Sequence, residues 1–126
     1  MKTVTFEDLN VWKEAHGFVL DIYQITKKFP KEEIFGLVSQ FRRASVSIPS
    51  NTAEGYRKKG INDKLRFYNI AISSADECKY YIILSRDLNY FSEEVFNALY
   101  EKINLISKML NSYCAGILKN QNKENL

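Results

Sequence analysis

The residues best suited to chemistry in this sequence are seven basic side chains between residues 40 and 70. They are Arg42, Arg43, Arg57, Lys58, Lys59, Lys64 and Arg66. The same stretch holds two acidic residues, Glu54 and Asp63, so it carries a net charge of +5, whereas the whole 126-residue chain carries +3. The rest of the chain is therefore net negative, at −2. Positive charge concentrated in this way indicates a polyanionic or acidic partner.

Five of these cations, from Arg57 to Arg66, surround a single predicted turn between two helices, so we expect them to lie close together. Tyr56 and Tyr68 flank the turn, and aromatic rings in such a place can stack on bases. Binding would be electrostatic and sensitive to salt, without reading of the base sequence. The alternative is a solvated helix end in which the lysines only complement the helix dipole. Both interpretations remain open for a single protomer.

Arg42 and Arg43 are consecutive on a predicted helix and therefore point about 100° apart. We expect one guanidinium to reach solvent and the other to pair with a carboxylate such as Glu54 or Glu77.

The side chains of this sequence give little support for a catalytic function. His16 is the lone histidine and lies in an apolar seam, and Lys13 stands where the Glu-x-x-His signature of di-iron bundles requires glutamate. Ser45, Ser47 and Ser50 surround a proline without a histidine base in reach, which favours hydrogen bonds to the backbone over a nucleophilic role. We therefore predict a protein that is not an enzyme and has neither a cofactor nor a metal site.

The two cysteines and the distribution of apolar residues indicate the cellular compartment of the protein. Cys78 and Cys114 fall inside apolar helical patterns, and buried free thiols are favoured there over a disulfide or a metal site. The sequence shows neither a signal-peptide pattern nor an apolar run approaching the roughly 18 residues that span a bilayer. We expect a soluble, cytoplasmic protein without a membrane partner.

Apolar residues spaced alternately three and four apart predict four helices. Helix 1 should start near Glu7 or Asp8 and stop at Pro30, and helix 2 should restart at Lys31 and continue through a kink at Pro49. Helix 3 should open at Asn62 or Asp63, and helix 4 should follow Ser92. The clearest stripe lies on helix 4 and consists of Phe96, Leu99, Ile103, Ile106, Leu110, Tyr113 and Ile117.

Four long helices joined by short loops predict an all-α fold, an antiparallel up-and-down four-helix bundle with a proline-kinked second helix. The bundle should occupy residues 1–118, and the polar segment 119–126 should be a disordered tail. The stripes on helices 1 and 3 are wider than one core requires, which predicts self-association. Candidates for the surplus apolar surface are Phe18, Ile25, Tyr80, Tyr81 and Tyr100.

Three blocks of the sequence form a recognisable pattern. They are Phe6-Glu7-Asp8-Leu9-x-Val11-Trp12-x-x-Ala15, the long segment from Phe29-Pro30 through Phe35-Gly36-Leu37 and Arg42-Arg43-Ala44 to Ser47-Ile48-Pro49-Ser50-Asn51-x-Ala53-Glu54-Gly55, and Asp63-x-x-Arg66-Phe67-x-x-Ile70-Ala71. Together they resemble a known bacterial family, the four-helix bundle proteins encoded in intervening sequences of the 23S ribosomal RNA gene. The likeness spans roughly residues 6 to 115. Thr52, where an aliphatic residue is expected, and Asp76-Glu77-Cys78 depart from the pattern, and the second departure puts any fine role of Glu77 in doubt.

The resemblance implies a four-helix protomer assembled as a ring-shaped homopentamer. The chain is also similar to the accessory protein of diversity-generating retroelements, a pentameric bundle whose basic surface binds nucleic acid and a reverse transcriptase. Some relatives carry a ribosomal-protein label, but the sequence offers no support for membership of the ribosome. Together these observations predict a non-enzymatic homo-oligomer that binds RNA or DNA through the basic turn, with Arg42, Arg43, Arg57, Lys58, Lys59, Lys64 and Arg66 as the candidate nucleic-acid-binding residues. The alternative is a protein-interaction scaffold or an accessory subunit of a nucleic-acid enzyme.

Overall fold

A computed structural model describes the chain over residues 3–124 and its side chains over residues 3–120. Four α-helices make up most of this range: α1 (Asn10–Thr26), α2 (Leu37–Arg57), α3 (Ile61–Asp87) and α4 (Glu93–Glu124). Single turns of 3-10 helix at Phe6–Asp8 and Lys31–Glu33 precede α1 and α2. The described residues form no strand, so the prediction of an all-α protein with four helices is confirmed.

The helices pack in a closed order, α1 on α2, α2 on α3, α3 on α4 and α4 on α1. In the α2–α3 pair, Gln40 accepts a hydrogen bond from Tyr81, while Gly55 lies against Tyr68 at the other end. The early part of α2 therefore meets the late part of α3, so these two neighbours run in opposite directions.

The core lies between the four helices and is made by residues that recur three and four positions apart. Fully buried large side chains include Phe18, Ile22, Phe41, Ile48, Ile82, Ile103, Ile106 and Leu110. Full burial of one such side chain contributes about 1.5–3 kcal/mol. On α4 the middle of the predicted stripe is buried, and its ends, Phe96, Tyr113 and Ile117, are half-buried.

Phe18 is wrongly predicted as surplus apolar surface, because it is fully buried in the core. Ile25, Tyr81 and Tyr100 are half-buried, and Tyr80 is exposed. The chain nevertheless exposes other large apolar side chains, and Phe35 is the most exposed of those described.

The first helix begins slightly later than predicted. The Thr5 Oγ1 accepts a hydrogen bond from the Glu7 amide at 3.2 Å, and the Asp8 carboxylate accepts bonds from the amides of Val4 and Thr5. These backbone bonds, which favour the charged carboxylate, lower the pKa of Asp8. Together they close a 3-10 turn at Phe6–Asp8, and α1 starts only at Asn10.

Helix α2 is continuous across Pro49, as predicted, while the kink stays a prediction. Its polar side chains bond to backbone carbonyls: Ser45 Oγ donates to Arg42 O and Thr52 Oγ1 to Ile48 O, both at 2.8 Å. Proline leaves the Ser45 carbonyl without its usual amide donor. Among the described residues, no side chain donates a hydrogen bond to the Ser45 carbonyl. The hydroxyl groups bond to the carbonyls of Arg42 and Ile48 instead.

The backbone of α4 is helical through Glu124, although the bundle was predicted to end at residue 118. Residues 125 and 126 of the predicted tail lie outside the described range, and the boundary at 118 stays a prediction. None of the helices described is both long and apolar enough to cross a membrane.

Candidate nucleic-acid interface

The basic turn, defined here as residues Arg57 to Arg66, connects α2 to α3 at one end of the bundle. Helix α2 ends at Arg57, and α3 begins at Ile61. The Lys58 amide closes the helix by donating to the carbonyls of Glu54 and Gly55, each at 3.3 Å. Only three residues separate the two helices, so the basic side chains on both sides of the connection share one corner of the molecule.

Lys64 acts within this corner as a structural cap. Its ammonium Nζ donates to the carbonyl oxygens of Tyr56 at 2.7 Å and Gly55 at 3.0 Å, which belong to the last turn of α2. A cation is favourable at this negative end of a helix. Partial burial lowers the pKa of Lys64. Lys64 therefore ties the first turn of α3 to the end of α2, and two of its three N–H donors are used inside the protein.

The other four cations of the basic turn reach solvent to different extents. Arg57 and Lys59 are exposed, the side chain of Arg66 is 66% exposed, and Lys58 is half-buried with 36% of its side chain exposed. Arg66 lies 3.8 Å from Asp63, and Lys58 lies 3.9 Å from Glu54. Surface pairs of this kind contribute at most about 1 kcal/mol. They compete only weakly with a phosphate group, so all four cations are available to an anion.

Phe67 is a member of this corner that the sequence analysis missed as a site residue. Two cations lie near its half-buried ring, with Lys58 Nζ 5.1 Å and Arg66 Cζ 5.0 Å from the ring centroid. Cations over an aromatic face are attracted by the ring quadrupole. The sequence feature that indicates a role for Phe67 is its position directly after Arg66. Phe67 supplies a π-surface next to the exposed positive charge.

The two tyrosines predicted to flank the turn have different surroundings. Tyr68 is wrongly predicted as a stacking surface, because it is only 1% exposed and packs edge-on against Tyr113 with 5.4 Å between the centroids. Burial, followed by the neighbouring Tyr113, raises the pKa of Tyr68. Tyr56 is half-buried, and its ring lies 5.6 Å from Lys64 Nζ. Neither ring is open on both faces.

The structure separates Arg42 from the basic turn. Arg42 Nε donates to Thr26 Oγ1 at 2.9 Å, Nη2 donates to Tyr23 O at 3.3 Å, and the guanidinium lies 4.6 Å from the Tyr23 ring centroid. Arg42 thus closes the C-terminal end of α1, and its partners are a hydroxyl and a carbonyl instead of the expected carboxylate. Fifteen residues separate it from Arg57 along α2, a distance of about 22 Å at 1.5 Å per residue.

Arg43 is exposed, as expected for one member of the pair, but it lies at the same distant part of α2 as Arg42. The structure therefore brings together Arg57, Lys58, Lys59, Lys64 and Arg66, and it does not bring Arg42 or Arg43 to them.

Two grooves border the basic turn. One, of about 660 Å³, lies between residues 4–7 and the end of α2, and its charged lining has both signs, with Glu7 and Glu54 beside Arg57 and Lys58. The other, of about 560 Å³, lies along α3 and is lined by Arg66, polar side chains and Ile70, with Glu77 as its acidic member. Mixed charge makes the first groove a poor phosphate track, so the exposed cations of the turn itself carry the anion-binding potential.

The remaining reactive side chains form no second site. His16 is exposed and stacks on Trp12 with centroids 5.1 Å apart and planes 11° apart. Cys78 is buried, Cys114 is half-buried, and both are free thiols. Burial raises the pKa of each, which disfavours the reactive thiolate. Over the described part of the chain, no group of three or more His, Cys, Asp or Glu side chains could hold a metal ion.

Comparison with known proteins gives a family and a fold. The model of the family described as 23S rRNA-intervening sequence protein matches residues 7–112. A solved structure from Bacteroides thetaiotaomicron, described as a protein with unknown function from the S23 ribosomal protein family, is 24% identical with a TM-score of 0.77. The match covers 83% of this chain and 95% of that one. No curated protein matches. At this identity the solved structure bears on the fold alone.

Proposed function

The chain belongs to the 23S rRNA-intervening sequence protein family, and from that premise we propose that it is a non-enzymatic, self-associating helical bundle that binds RNA through its basic turn. The observation that carries the proposal is the exposure of Arg57, Lys59 and Arg66 around one short connection, with the half-buried Lys58 beside them. Backbone phosphates are the ligand that such a cluster suits, since each contact releases counterions.

The structure of the turn favours binding without large rearrangement. Lys64 holds the two helix ends together through its bonds to Gly55 and Tyr56, so the other four cations project from a fixed frame. A fixed frame reduces the ordering cost of binding. Lys58 Nζ and Arg66 Cζ lie 5.1 and 5.0 Å from the centroid of the half-buried Phe67 ring, so these cation–π contacts help to hold both cations in place.

Self-association strengthens the weak binding of a single turn. Four cations on one protomer make only a few phosphate contacts, but several linked copies bind the same RNA with a higher effective concentration. The exposed apolar side chains Phe35, Ile34 and Tyr80 support contact between protein surfaces. Resemblance to ring-forming bundles extends the proposal to a homopentamer.

A titration of the protein with a fluorescently labelled structured RNA across a salt series tests the proposal. Three to four phosphate contacts per binding turn predict that log K falls with log salt with a slope of about −2 to −4 per protomer. Binding of similar strength at 50 and 300 mM salt, or no binding at low salt, would contradict the proposed function.

A second candidate function is that of an accessory subunit or scaffold for another protein, such as a nucleic-acid enzyme. Two exposed apolar side chains favour a protein partner: Val46 on α2 is 40% exposed, and Ile70 on α3 is 42% exposed. Capture of a partner protein that persists after nuclease treatment would support this function, whereas loss of the partner after nuclease treatment would support RNA as the link.

A further inference from the structure

Phe35 is 96% exposed, which is exceptional for a side chain of this size and hydrophobicity. It lies just before α2, and the preceding Ile34 is 52% exposed. Two adjacent apolar side chains in solvent form a protruding knob. A knob of this kind indicates a surface that is covered in the working assembly.

The backbone that carries the knob is held in place from both sides. The Tyr90 hydroxyl donates to Glu33 Oε2 at 2.7 Å, and the Gly36 amide donates to Glu33 O at 3.0 Å. The Tyr90 ring also packs against Phe29, with 5.1 Å between the centroids. Phe35 is therefore presented on an ordered segment, and burying it in a partner would cost little backbone entropy.

A groove next to the knob offers a suitable receptor. It has a volume of about 380 Å³, lies between α2 and α3, and Phe35 borders one end. Small side chains line it, among them Ser39, Ala44 and Ser74. The helices approach closely there, because Ser74 Oγ donates to Ser47 Oγ at 2.7 Å. An aromatic side chain from outside can enter such a groove without displacing a large residue.

Two opposite charges line the same groove. Arg43 and Glu77 are both exposed, and the structure shows no ion pair between them. The Tyr81 hydroxyl, which donates to Gln40, lies 3.3 Å from Glu77 Oε2 as an alternative acceptor. A surface that carries an apolar knob, a groove and charges of both signs is complementary to another copy of itself, whereas a partner of one charge would be repelled by one of the two.

We propose that Phe35 is the contact by which copies of this chain associate, with the ring of one copy seated in the α2–α3 groove of the next and Arg43 of one copy facing Glu77 of the other. The proposal rests on the self-association in the proposed function and specifies its surface. Each copy has one knob and one groove, so the contact can repeat from copy to copy until a ring closes. Arg43 acts at this interface, and its distance from the basic turn is thereby accounted for.

Sedimentation velocity of the full chain over a hundredfold concentration range tests this interface. The wild type should assemble, and Phe35→Ala should weaken assembly at least about tenfold, as expected for a central aromatic contact. Leu105→Ala is the matched control, since Leu105 is 44% exposed on α4, a helix whose packing partners are α1 and α3 and not α2. It should assemble like the wild type. Circular dichroism should show the same helicity for all three proteins.

Charge exchange provides a second, independent measurement. Arg43→Glu and Glu77→Arg should each weaken assembly, and the double variant should restore it. Assembly of Phe35→Ala at wild-type concentrations would overturn the proposed interface while leaving self-association intact. A wild type that stays monomeric throughout would overturn both the interface and the self-association, whereas a knob covered by a different protein would overturn the interface alone. RNA binding by the basic turn is measured separately, so its failure would not be confused with either result.

Discussion

Lys64 Nζ on α3 lies 2.7 Å from the Tyr56 carbonyl oxygen on α2, and this bond joins the two helices on which the basic turn is built. Replacing Lys64 by methionine keeps most of the apolar stem but removes the donor. We expect the free energy of unfolding to fall by about 1 kcal/mol. A hydrogen bond from a charged donor contributes more than this when it is buried, but partial exposure of Lys64 to solvent reduces the contribution. Chemical denaturation measures the change, and Lys59→Met, at an exposed loop position, should leave stability within about 0.5 kcal/mol of wild type.

Gly55 is packed directly against the buried ring of Tyr68. A Cβ at residue 55 would lie 2.9 Å from Tyr68 Cε1, and the ring has no room to move because it is only 1% exposed. Gly55→Ala should therefore lower the free energy of unfolding by about 1–3 kcal/mol through overpacking.

Gly116→Ala is the matched control for that change. A Cβ at residue 116 on α4 would meet nothing within 4 Å, so the substitution should stabilise the helix by about 0.5–1 kcal/mol. Opposite signs for the two glycines in thermal unfolding would confirm the close contact with Tyr68. Equal effects would show that the contact is absent.

Because the side chain of Tyr68 is buried, we predict that the protein loses stability at alkaline pH. Burial raises its pKa in the folded protein above the ordinary value of 10.0, so its neutral form is favoured by folding. The contribution is complete below pH 10 and is lost as pH rises toward the folded pKa, because the unfolded chain releases the proton first. Tyr68→Phe cannot ionise and should lose less stability than the wild type between pH 9.5 and 11.

The same variant has a second expected effect at neutral pH. Among the described residues, the Tyr68 hydroxyl has no hydrogen-bond partner, so its removal should cost less than about 0.5 kcal/mol or should stabilise the protein. Tyr80→Phe, where the ring is 58% exposed, serves as the control and should follow the wild-type pH curve. A steeper alkaline loss in Tyr68→Phe than in wild type would contradict the prediction.

Arg42 and Arg43 are neighbours in sequence with different expected roles. Arg42→Met removes the bonds to Thr26 and Tyr23 and should lower the free energy of unfolding by about 1–2 kcal/mol. Arg43→Met should leave monomer stability nearly unchanged because the side chain is exposed. Urea unfolding at low protein concentration separates the two, and equal losses would place both guanidinium groups in the same structural role.

The helices and most of the core could be predicted from the sequence because both depend on local periodicity. The α4 stripe repeats three and four residues apart, and its middle members Ile103, Ile106 and Leu110 are buried as that spacing requires. Ser92 was also recognisable as a cap, and its Oγ accepts the Val95 amide at 3.1 Å. Such features are decided within one or two turns of the same helix.

The environment of individual site residues depended on contacts between distant segments. Tyr68 belongs to the core because Gly55 and Tyr113 enclose it, although its place beside a basic turn suggested a surface role. Arg42 is engaged because the end of α1 lies within its reach. Helix α2 was predicted to restart at Lys31, but the chain forms a 3-10 turn at Lys31–Glu33 and α2 begins at Leu37, so Phe35 lies before the helix and is 96% exposed.

The most direct test of the account compares two triple variants with the same loss of charge. Arg57→Ala, Lys58→Ala and Lys59→Ala together remove three cations of the basic turn, while Lys27→Ala, Lys28→Ala and Lys31→Ala remove three exposed lysines near the other end of α2. We predict that the first variant binds the same labelled RNA at least about tenfold more weakly than wild type and reduces the salt slope by about 2–3. The second variant should change little. Equal losses in the two variants, or wild-type binding by the first, would contradict the basic turn as the RNA-binding surface.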